Sequence, residues 1–365
     1  MKATEEVPAA SAGGGSHGLT LGVDVGGTKV LGVAIDSSGA VVCQVRAATP
    51  LSHHDHRNGG EGAAPGHSNH SGPDRVLAAI TEVVEQLMIR TGSKSGAHEA
   101  PPLGVGIPGL VDNEGTMHFA PNLPAGVGVD FKSLVAAATG ARRVVIDNDA
   151  TCAAVGEWLL GAAIGKSDAV VVTLGTGIGA GIIAGGEVLR GANGYAGEAG
   201  HMVVDPSGPL CSCGRRGCWE RYASGNGLAR LAREAATAGR LEAVMALARG
   251  DAESVRGEHV TEAAAAGDPG ALEVMKELGW WIALGVANLT ALLDPSVVVI
   301  GGGLVGAGEL LLEPTRSAYA EILYAGDERP LVSIVPAALG ELAGAVGAAL
   351  LARAETRTGA IALCE

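Results

Sequence analysis

One histidine and three cysteines lie close together in the segment HMVVDPSGPLCSCGRRGCWE, as His201, Cys211, Cys213 and Cys218. One imidazole and three thiolates form a complete tetrahedral shell for Zn²⁺ with no open position, so they predict a structural zinc site. The C-x-C-x₄-C spacing differs from the usual C-x₂-C, and three reduced cysteines near an unrelated histidine are the alternative. We favour zinc, because clustered cysteines in a cytosolic enzyme indicate a metal more than disulfides.

Two carboxylates lie next to this cluster. Glu198 precedes His201 by about one helical turn, and Glu220 follows Cys218 by two residues. A bound zinc would fix both side chains in place, and rigid carboxylates are good hydrogen-bond acceptors for sugar hydroxyls.

Three polar residues follow an apolar run in the segment VIDNDA at 145–150, where a strand is predicted to end and a helix to begin. The carboxyl ends of strands are where open α/β sheets present ligand-contacting groups. Asp149 is a helix N-cap in one interpretation and a general base that accepts a proton from a substrate hydroxyl in the other. We favour the general base, with Asn148 orienting the substrate and Asp147 in a structural role.

Two glycine-rich loops, DVGGTK at 24–29 and TLGTGIGAG at 173–181, lie about 150 residues apart, each between two strand-like runs. Neither has a helix directly after its glycines, which a dinucleotide fingerprint or a Walker loop requires. Both are therefore predicted to be tight β-hairpins whose backbone N–H groups line an anion site. The candidate phosphate contacts are Gly26, Gly27, Thr28, Lys29, Gly175, Thr176 and Gly177.

Asp24 precedes the first glycine pair. A carboxylate beside phosphate repels it unless a cation lies between them, so Asp24 is predicted to orient Mg²⁺ through water, with a simple turn aspartate as the alternative. A third glycine run, Gly301–Gly303, follows an apolar strand. It would let a flat ligand such as adenine pack on the main chain, although a plain strand–turn–helix junction fits the run nearly as well.

The 365 residues carry a formal net charge of −14, which argues against a nucleic acid or an anionic membrane surface as partner. Residues 1–18 lack the basic and apolar regions of a signal peptide. Residues 169–186 are uncharged, but glycines between β-branched clusters favour strand–loop–strand over a membrane span. We expect a cytoplasmic protein.

The order of the predicted elements indicates an α/β protein with two lobes of similar pattern. The insertion between the first strands and the first helix is rich in His and Gly, so a disordered surface segment is favoured over a metal-binding loop. The expected parts are a disordered tail (1–18), a small lobe (19–150) with the flexible insertion (51–72), a large lobe (151–340) with the zinc knuckle (201–220), and a C-terminal helix (341–365) that packs back on the small lobe.

The motifs DVGGTK, IDNDA, GTGIGAG, GEAGH and CSCGRRGCWE occur in the order seen in the ROK-family sugar kinases, and the chain resembles that family from Leu19 to its last predicted helix. The most specific part is CSCGRRGCWE after GEAGH. Within the family, the chain is similar to ATP-dependent bacterial glucokinases. The resemblance implies an actin-like ATPase fold (ribonuclease H-like), which is a duplicated two-lobe α/β fold with a central cleft.

The resemblance also implies a reaction, the transfer of a phosphoryl group from MgATP to the 6-hydroxyl of glucose. Asp149 would be the base that removes the hydroxyl proton, the two hairpins would hold the triphosphate, and Gly301–Gly303 would lie by the adenosine. His201 would be both a zinc ligand and a sugar neighbour. A homodimer or homotetramer is expected, and the apolar stretch 278–293 is either an interface or core. The implied sugar contacts are Asn122, Asn148, Asp149, Glu198, His201 and Glu220.

Several alternatives stay open. The substrate could be another hexose, such as mannose or an N-acetyl amino sugar, and the donor could be inorganic polyphosphate. The protein could also be a non-catalytic sugar sensor of the same fold. The family's sugar-responsive repressors carry an N-terminal helix-turn-helix, and the 18 polar residues before the first strand leave no room for one.

Overall fold

The computed structural model describes residues 18–27, 29–49, 72–93, 100–120 and 127–354. Thr28 and Asn122 lie outside the described residues. So do the expected disordered tail up to residue 17 and the expected flexible insertion up to residue 71.

The chain divides into two compact units. The first unit contains the described residues up to Cys152 and those from Gly344 onward, and the second contains Ala153–Ala343. The elements up to the division are β1 (Thr20–Val25), β2 (Lys29–Ile35), β3 (Val41–Ala48), α1 (Gly72–Thr91), β4 (Leu103–Ile107), β5 (Leu110–Val111), β6 (Thr116–Phe119), β7 (Val129–Asp130), α2 (Phe131–Thr139), β8 (Val144–Asn148) and α3 (Asp149–Leu160), the last of which crosses it.

The first unit is built on a five-stranded sheet with the order β3-β2-β1-β4-β8. The strands β1, β2 and β3 form an antiparallel meander, and β4 and β8 add to β1 in parallel. Apolar side chains of α1 cover one face of this sheet and form its core with β1, β2 and β4. The unit also contains a small sheet, β5-β6-β7, which the sequence did not predict. Its strands have only two to four residues, which is too short for a hydrophobic periodicity to be recognised.

The second unit contains a strand-rich start and a long helical part. Its elements are β9 (Ala169–Leu174), β10 (Ile178–Ala184), β11 (Glu187–Val188), α4 (Glu220–Ala223), α5 (Gly225–Thr237), α6 (Glu242–Leu247), α7 (Gly257–Ala265), α8 (Pro269–Leu293), β12 (Val297–Gly301), α9 (Glu309–Ile322) and β13 (Ser333–Pro336). The last helix, α10 (Ala343–Arg353), begins at the end of this unit and continues into the first.

The sheet of the second unit repeats the topology of the first. Its order is β11-β10-β9-β12-β13, again an antiparallel meander followed by two parallel additions. Each glycine loop of the sequence joins the first two strands of a meander, so both loops are β-hairpins, as predicted. The repeat is therefore one of strand order and hairpin position.

Helix α10 packs on the face of the first sheet that α1 leaves open. A methyl group added at Gly22 would lie 1.9 Å from the backbone oxygen of Ala345, and one at Gly104 would lie 1.8 Å from that of Ala348. These two neighbouring strand positions must be glycine because the helix backbone touches the sheet directly.

Helix α8 supplies much of the core of the second unit. Its buried side chains include Leu278, Ile282, Val286 and Leu289, so the apolar stretch 278–293 is largely core. Trp219, which follows the last cysteine of the predicted zinc knuckle, is fully buried in the same core. Among the described helices, none is both long enough and apolar enough to cross a bilayer.

Candidate functional site

Asp24 lies near the carboxyl end of β1, directly before the first glycine hairpin. Its carboxylate approaches two glycines: a methyl group added at Gly344, the second residue of α10, would lie 2.6 Å from Cγ, and one added at Gly106 would lie 3.5 Å from Oδ1. The hairpin itself is closed by a bond of 2.9 Å from the N–H of Gly26 to the oxygen of Lys29. A side chain at position 344 would clash with the carboxylate, whereas the distance from position 106 is that of an ordinary van der Waals contact.

The carboxylate of Asp24 lies in an environment that disfavours its negative charge. Its Oδ1 atom is buried and has no hydrogen-bond partner among the described residues. Burial, and then the negative charge of Asp149, raise the pKa of Asp24 to about 7, while the charge of Lys29 opposes the rise. A buried carboxylate oxygen without a donor is what a hydrated cation would satisfy, so the residue fits the Mg²⁺-orienting role predicted for it.

Asp149 is the first residue of α3 and follows β8 directly. The N-cap bond of this helix comes from its neighbour: Asn148 Oδ1 accepts from the N–H of Thr151 at 3.0 Å, and Asn148 Nδ2 donates to the oxygen of Gly109 at 3.2 Å. Asp147 is buried, and its Oδ1 accepts from the N–H of Asn148 at 2.9 Å. Capping therefore falls on Asn148, so the simple N-cap alternative does not account for Asp149.

The structure brings the predicted zinc ligands together. One ligand atom from each of His201, Cys211, Cys213 and Cys218 lies within 4.8 Å of all the others. The Sγ atoms of Cys213 and Cys218 are 3.5 Å apart, close to the ~3.8 Å edge of a tetrahedral zinc–thiolate shell. The donor set and its spacing both fit a structural zinc ion.

Two of the implied sugar contacts, Glu198 and Glu220, lie beside the imidazole of a third, His201. Its Nε2 lies 3.9 Å from Glu198 Oε2, and its Nδ1 lies 3.8 Å from Glu220 Oε1. The same Glu220 oxygen lies 2.9 Å from the Sγ of Cys211. Burial raises the pKa of Glu198, an effect that the nearby His201 partly opposes. The knuckle thus holds two carboxylates beside one imidazole, an arrangement suited to hydroxyl groups.

The second glycine hairpin lies against the same cluster, which the sequence did not predict. A methyl group added at Gly177 would lie 2.7 Å from Glu220 Oε2. The loop is closed by a bond of 3.0 Å from the N–H of Gly175 to the oxygen of Gly177, and the N–H of Gly225 donates to the oxygen of Gly175 at 2.8 Å. Glu220 therefore touches both the cysteine cluster and the hairpin.

The third glycine run also lies by this hairpin. Gly301 ends β12, and Gly302 has φ 83 and packs against the backbone of Leu174, the residue before Gly175. The second unit thus places the run predicted to contact adenosine directly beside a loop predicted to contact phosphate.

Most of this chain matches one known protein family. The model of the ROK family matches residues 65–355, which is most of the chain. The chain belongs to the ROK family. The family assignment made from the motifs is therefore confirmed, and the duplicated α/β sheets agree with the predicted actin-like ATPase fold.

Similarity to individual ROK proteins extends over nearly the full length. A glucokinase from Streptomyces coelicolor is 39% identical over 339 residues, covering 92% of this chain and 98% of that protein. The crystal structure of a ROK family glucokinase from Streptomyces griseus, in complex with glucose and AMPPNP, has a TM-score of 0.78 at 38% identity and covers 92% of this chain and 99% of its own. A ROK hexokinase from Thermus thermophilus has a TM-score of 0.65 at 32% identity, covering 91% and 97% of the two chains.

Two residues, Gly344 and Glu157, were not predicted from the sequence patterns, and only the structure shows their contacts. Gly344 contacts Asp24 from a position 320 residues later in the chain, and no local pattern marks it. Glu157 is a fully buried carboxylate in α3. A signal for Glu157 existed, since only it and Asp149 are charged in that otherwise apolar helix.

Proposed function

We propose that this ROK protein is a glucokinase, which transfers the γ-phosphoryl group of MgATP to the 6-hydroxyl of glucose to give glucose 6-phosphate. The observation that carries the proposal is the likeness to glucokinases along almost their whole length, one of them bound to glucose and AMPPNP. Phosphoryl transfer demands positioning and charge stabilisation more than covalent chemistry, and the glycine hairpins and carboxylates described above are groups of that kind.

In the proposed mechanism, Asp149 accepts the proton of the 6-hydroxyl as the oxygen attacks the γ-phosphorus. The position of Asp149, first in its helix and with capping supplied by Asn148, supports this role. Asn148 remains the proposed orienting residue for the sugar, although part of its amide is used by the helix cap.

The nucleotide is proposed to bind through backbone groups and a divalent cation. The N–H groups of Gly27 and Gly177, with Thr28, Lys29 and Thr176, would donate to the phosphate oxygens. Gly26 and Gly175, whose N–H groups close the two hairpins, would only line the site with their backbone. Asp24 would orient hydrated Mg²⁺, which neutralises charge on the β- and γ-phosphates when bound. Gly301–Gly303 would lie by the adenosine, a proposal that the contact between Gly302 and Leu174 supports.

The sugar is proposed to bind through the side chains around the zinc cluster. Glu198, His201 and Glu220 would accept hydrogen bonds from its hydroxyls or donate to them, and Asn122 would add a further contact. The zinc would act only on structure, by holding the segment that carries these side chains, since its four protein ligands leave no open position.

The substrate is tested by a panel of sugars in an assay that detects ADP. Glucose should give a higher kcat/KM than mannose or N-acetyl amino sugars, and ATP should be a better donor than inorganic polyphosphate. A preference for another hexose would replace glucose in the proposal. Sugar binding without any turnover would identify a sensor in place of an enzyme.

The general base is tested by Asp149→Asn, with Asp147→Asn as the matched control two positions away. Loss of the base should lower kcat by about 10²–10⁴-fold while glucose binding, measured by calorimetry, is retained. The control should keep most of its turnover, because an amide oxygen can still accept from the N–H of Asn148. Near-normal turnover of Asp149→Asn would show that another group takes the proton.

We propose further that the protein is cytoplasmic and forms a homodimer or homotetramer. The oligomer proposal rests on the resemblance to ROK glucokinases, and the compartment rests on the sequence features described above. Because the stretch 278–293 is largely core, it gives the oligomer no support. Light scattering at several protein concentrations would give the oligomeric state.

A further inference from the structure

Glu157 is a fully buried carboxylate that takes part in none of the proposed binding contacts. Three backbone N–H groups donate to it: Ala162 N to Oε2 at 2.8 Å, Ala338 N to Oε2 at 2.9 Å, and Leu339 N to Oε1 at 2.8 Å. Burial of a carboxylate is costly unless its oxygens are hydrogen-bonded, and bonds to a charged acceptor are stronger than neutral ones. The three hydrogen bonds therefore hold the carboxylate in place, and they also hold the backbone segments that donate them.

The three donors come from two segments that are distant in sequence. Ala162 follows the end of α3, the helix that carries Glu157. Ala338 and Leu339 follow β13 and lead, through a 3₁₀ turn at Gly340–Leu342, into α10. One carboxylate thus joins the end of α3 to the segment that begins α10.

The opposite ends of these two segments lie at two carboxylates of the first unit. Helix α3 begins at Asp149, and Glu157 lies about two turns further along it. Helix α10 begins at Ala343, and Gly344 lies against the carboxylate of Asp24. Asp149 is close enough to Asp24 for its charge to contribute to the raised pKa of that residue. The segments that Glu157 joins therefore end at the two carboxylates of the proposed reaction.

The glycine at position 161 leaves room for this carboxylate. A methyl group added at Gly161 would lie 2.1 Å from Glu157 Oε2, so any other residue there would displace the side chain. Gly161 also donates its N–H to the backbone oxygen of Glu157 at 3.1 Å. The turn after α3 is built around the carboxylate.

We propose that Glu157 is a positioning residue for phosphoryl transfer: it holds α3 and the start of α10 in the relative position that places Asp149 and Asp24. The expected effects on kcat rest on the proposed function, whereas the expected effects on hydrogen exchange do not. Glu157 makes no contact with a substrate in this proposal and acts only through the two segments that it joins. Misplacement of reacting groups by about 1 Å can cost about 10²-fold in rate, so a small shift at these segments is enough to be measured.

The first test is Glu157→Gln. A glutamine has one acceptor oxygen, so its amide group must face at least one of the N–H donors, and the bonds to Ala338 or Leu339 are lost. We expect kcat to fall by about tenfold while the KM values for glucose and ATP change by less than about twofold, because most of the groups proposed to bind them, in the glycine hairpins and around the zinc cluster, lie outside α3 and α10. Hydrogen exchange at Ala338 and Leu339 should become faster in the same variant.

The matched control is Thr290→Val, a change at another fully buried polar side chain. Thr290 donates to the oxygen of Val286 at 2.9 Å and accepts from the hydroxyl of Tyr319 at 3.2 Å, so the variant loses two buried hydrogen bonds in α8 and α9. It should lower the unfolding midpoint without lowering kcat. If Glu157→Gln also lowers only the midpoint, Glu157 is a stabilising residue and the proposal is wrong.

Two further measurements test the proposal even if Glu157→Gln does not fold. Gly161→Ala keeps the carboxylate but displaces it, and should lower kcat in the same way; unchanged kcat in a folded Gly161→Ala would overturn the proposal. In the wild-type protein, the amides of Ala338 and Leu339 should exchange as slowly as those in the middle of α3. Exchange at the rate of exposed turns would show that the carboxylate does not hold the segment. A wild type that phosphorylates no sugar would refute the proposed function instead, and the exchange result would still be decided.

Discussion

The substitution Asp24→Asn should make the unliganded protein more stable and at the same time inactive. Asp24 has a buried Oδ1 atom without a partner among the described residues, and its pKa is raised from 3.8 to about 7 by burial and by the charge of Asp149. An acid that binds its proton more tightly in the folded state loses stability as the pH rises from the unfolded pKa to the folded one. The amide of asparagine has no such proton to lose.

The size of the effect follows from the difference between the two pKa values. About three units at 1.36 kcal/mol per unit give a ceiling of about 4 kcal/mol, reached above pH 7 and absent near pH 4. The residue as a whole is only partly buried, so solvent screening reduces this ceiling, and we expect about 2 kcal/mol at pH 8.

Urea unfolding of wild type and Asp24→Asn, without added Mg²⁺ and without nucleotide, measures the difference in unfolding free energy at pH 4.5, 6 and 8. The variant should gain on the wild type at each step, and its turnover with MgATP should fall by at least about 10²-fold because no carboxylate orients the cation. A stability difference that does not change with pH would refute the electrostatic argument. Normal turnover of the variant would refute the proposed role of Asp24 in orienting Mg²⁺ and would leave the electrostatic argument unaffected.

Three other changes test the packing around the cluster. Gly285→Ala places a methyl group 2.0 Å from a ring carbon of Trp219 and should cost about 2–3 kcal/mol in urea unfolding; an unchanged midpoint would contradict this packing. Gly177→Ala displaces Glu220 and should raise the KM for glucose by about tenfold, equal to ~1.4 kcal/mol of binding, with little change in stability; an unaltered KM would separate Glu220 from the sugar. Elemental analysis should find one zinc per chain, and Cys213→Ser should lower both zinc content and unfolding midpoint; a fully active, metal-free protein would exclude the zinc.

The sequence by itself determined the parts of this protein whose information is local. Short glycine-rich segments between two strand-like runs favour a tight turn, so both hairpins were predictable. The three cysteines lie within eight residues of one another, so a short loop can bring them to one metal without help from the rest of the fold. The place of Asp149 at the junction of a strand and a helix was predictable, because the apolar run that marks the strand ends directly before it.

Only the tertiary structure decided which distant residues meet. Asp24 and Gly344, Glu157 and Ala338, and Gly177 and Glu220 are each brought together by the packing of helices and sheets. Such contacts depend on how far one backbone can approach another, which hydrophobic periodicity does not encode. The same reason explains the stretch 278–293: its apolar pattern suits an interface and a core equally, and only its packing in the second unit shows that it is largely core.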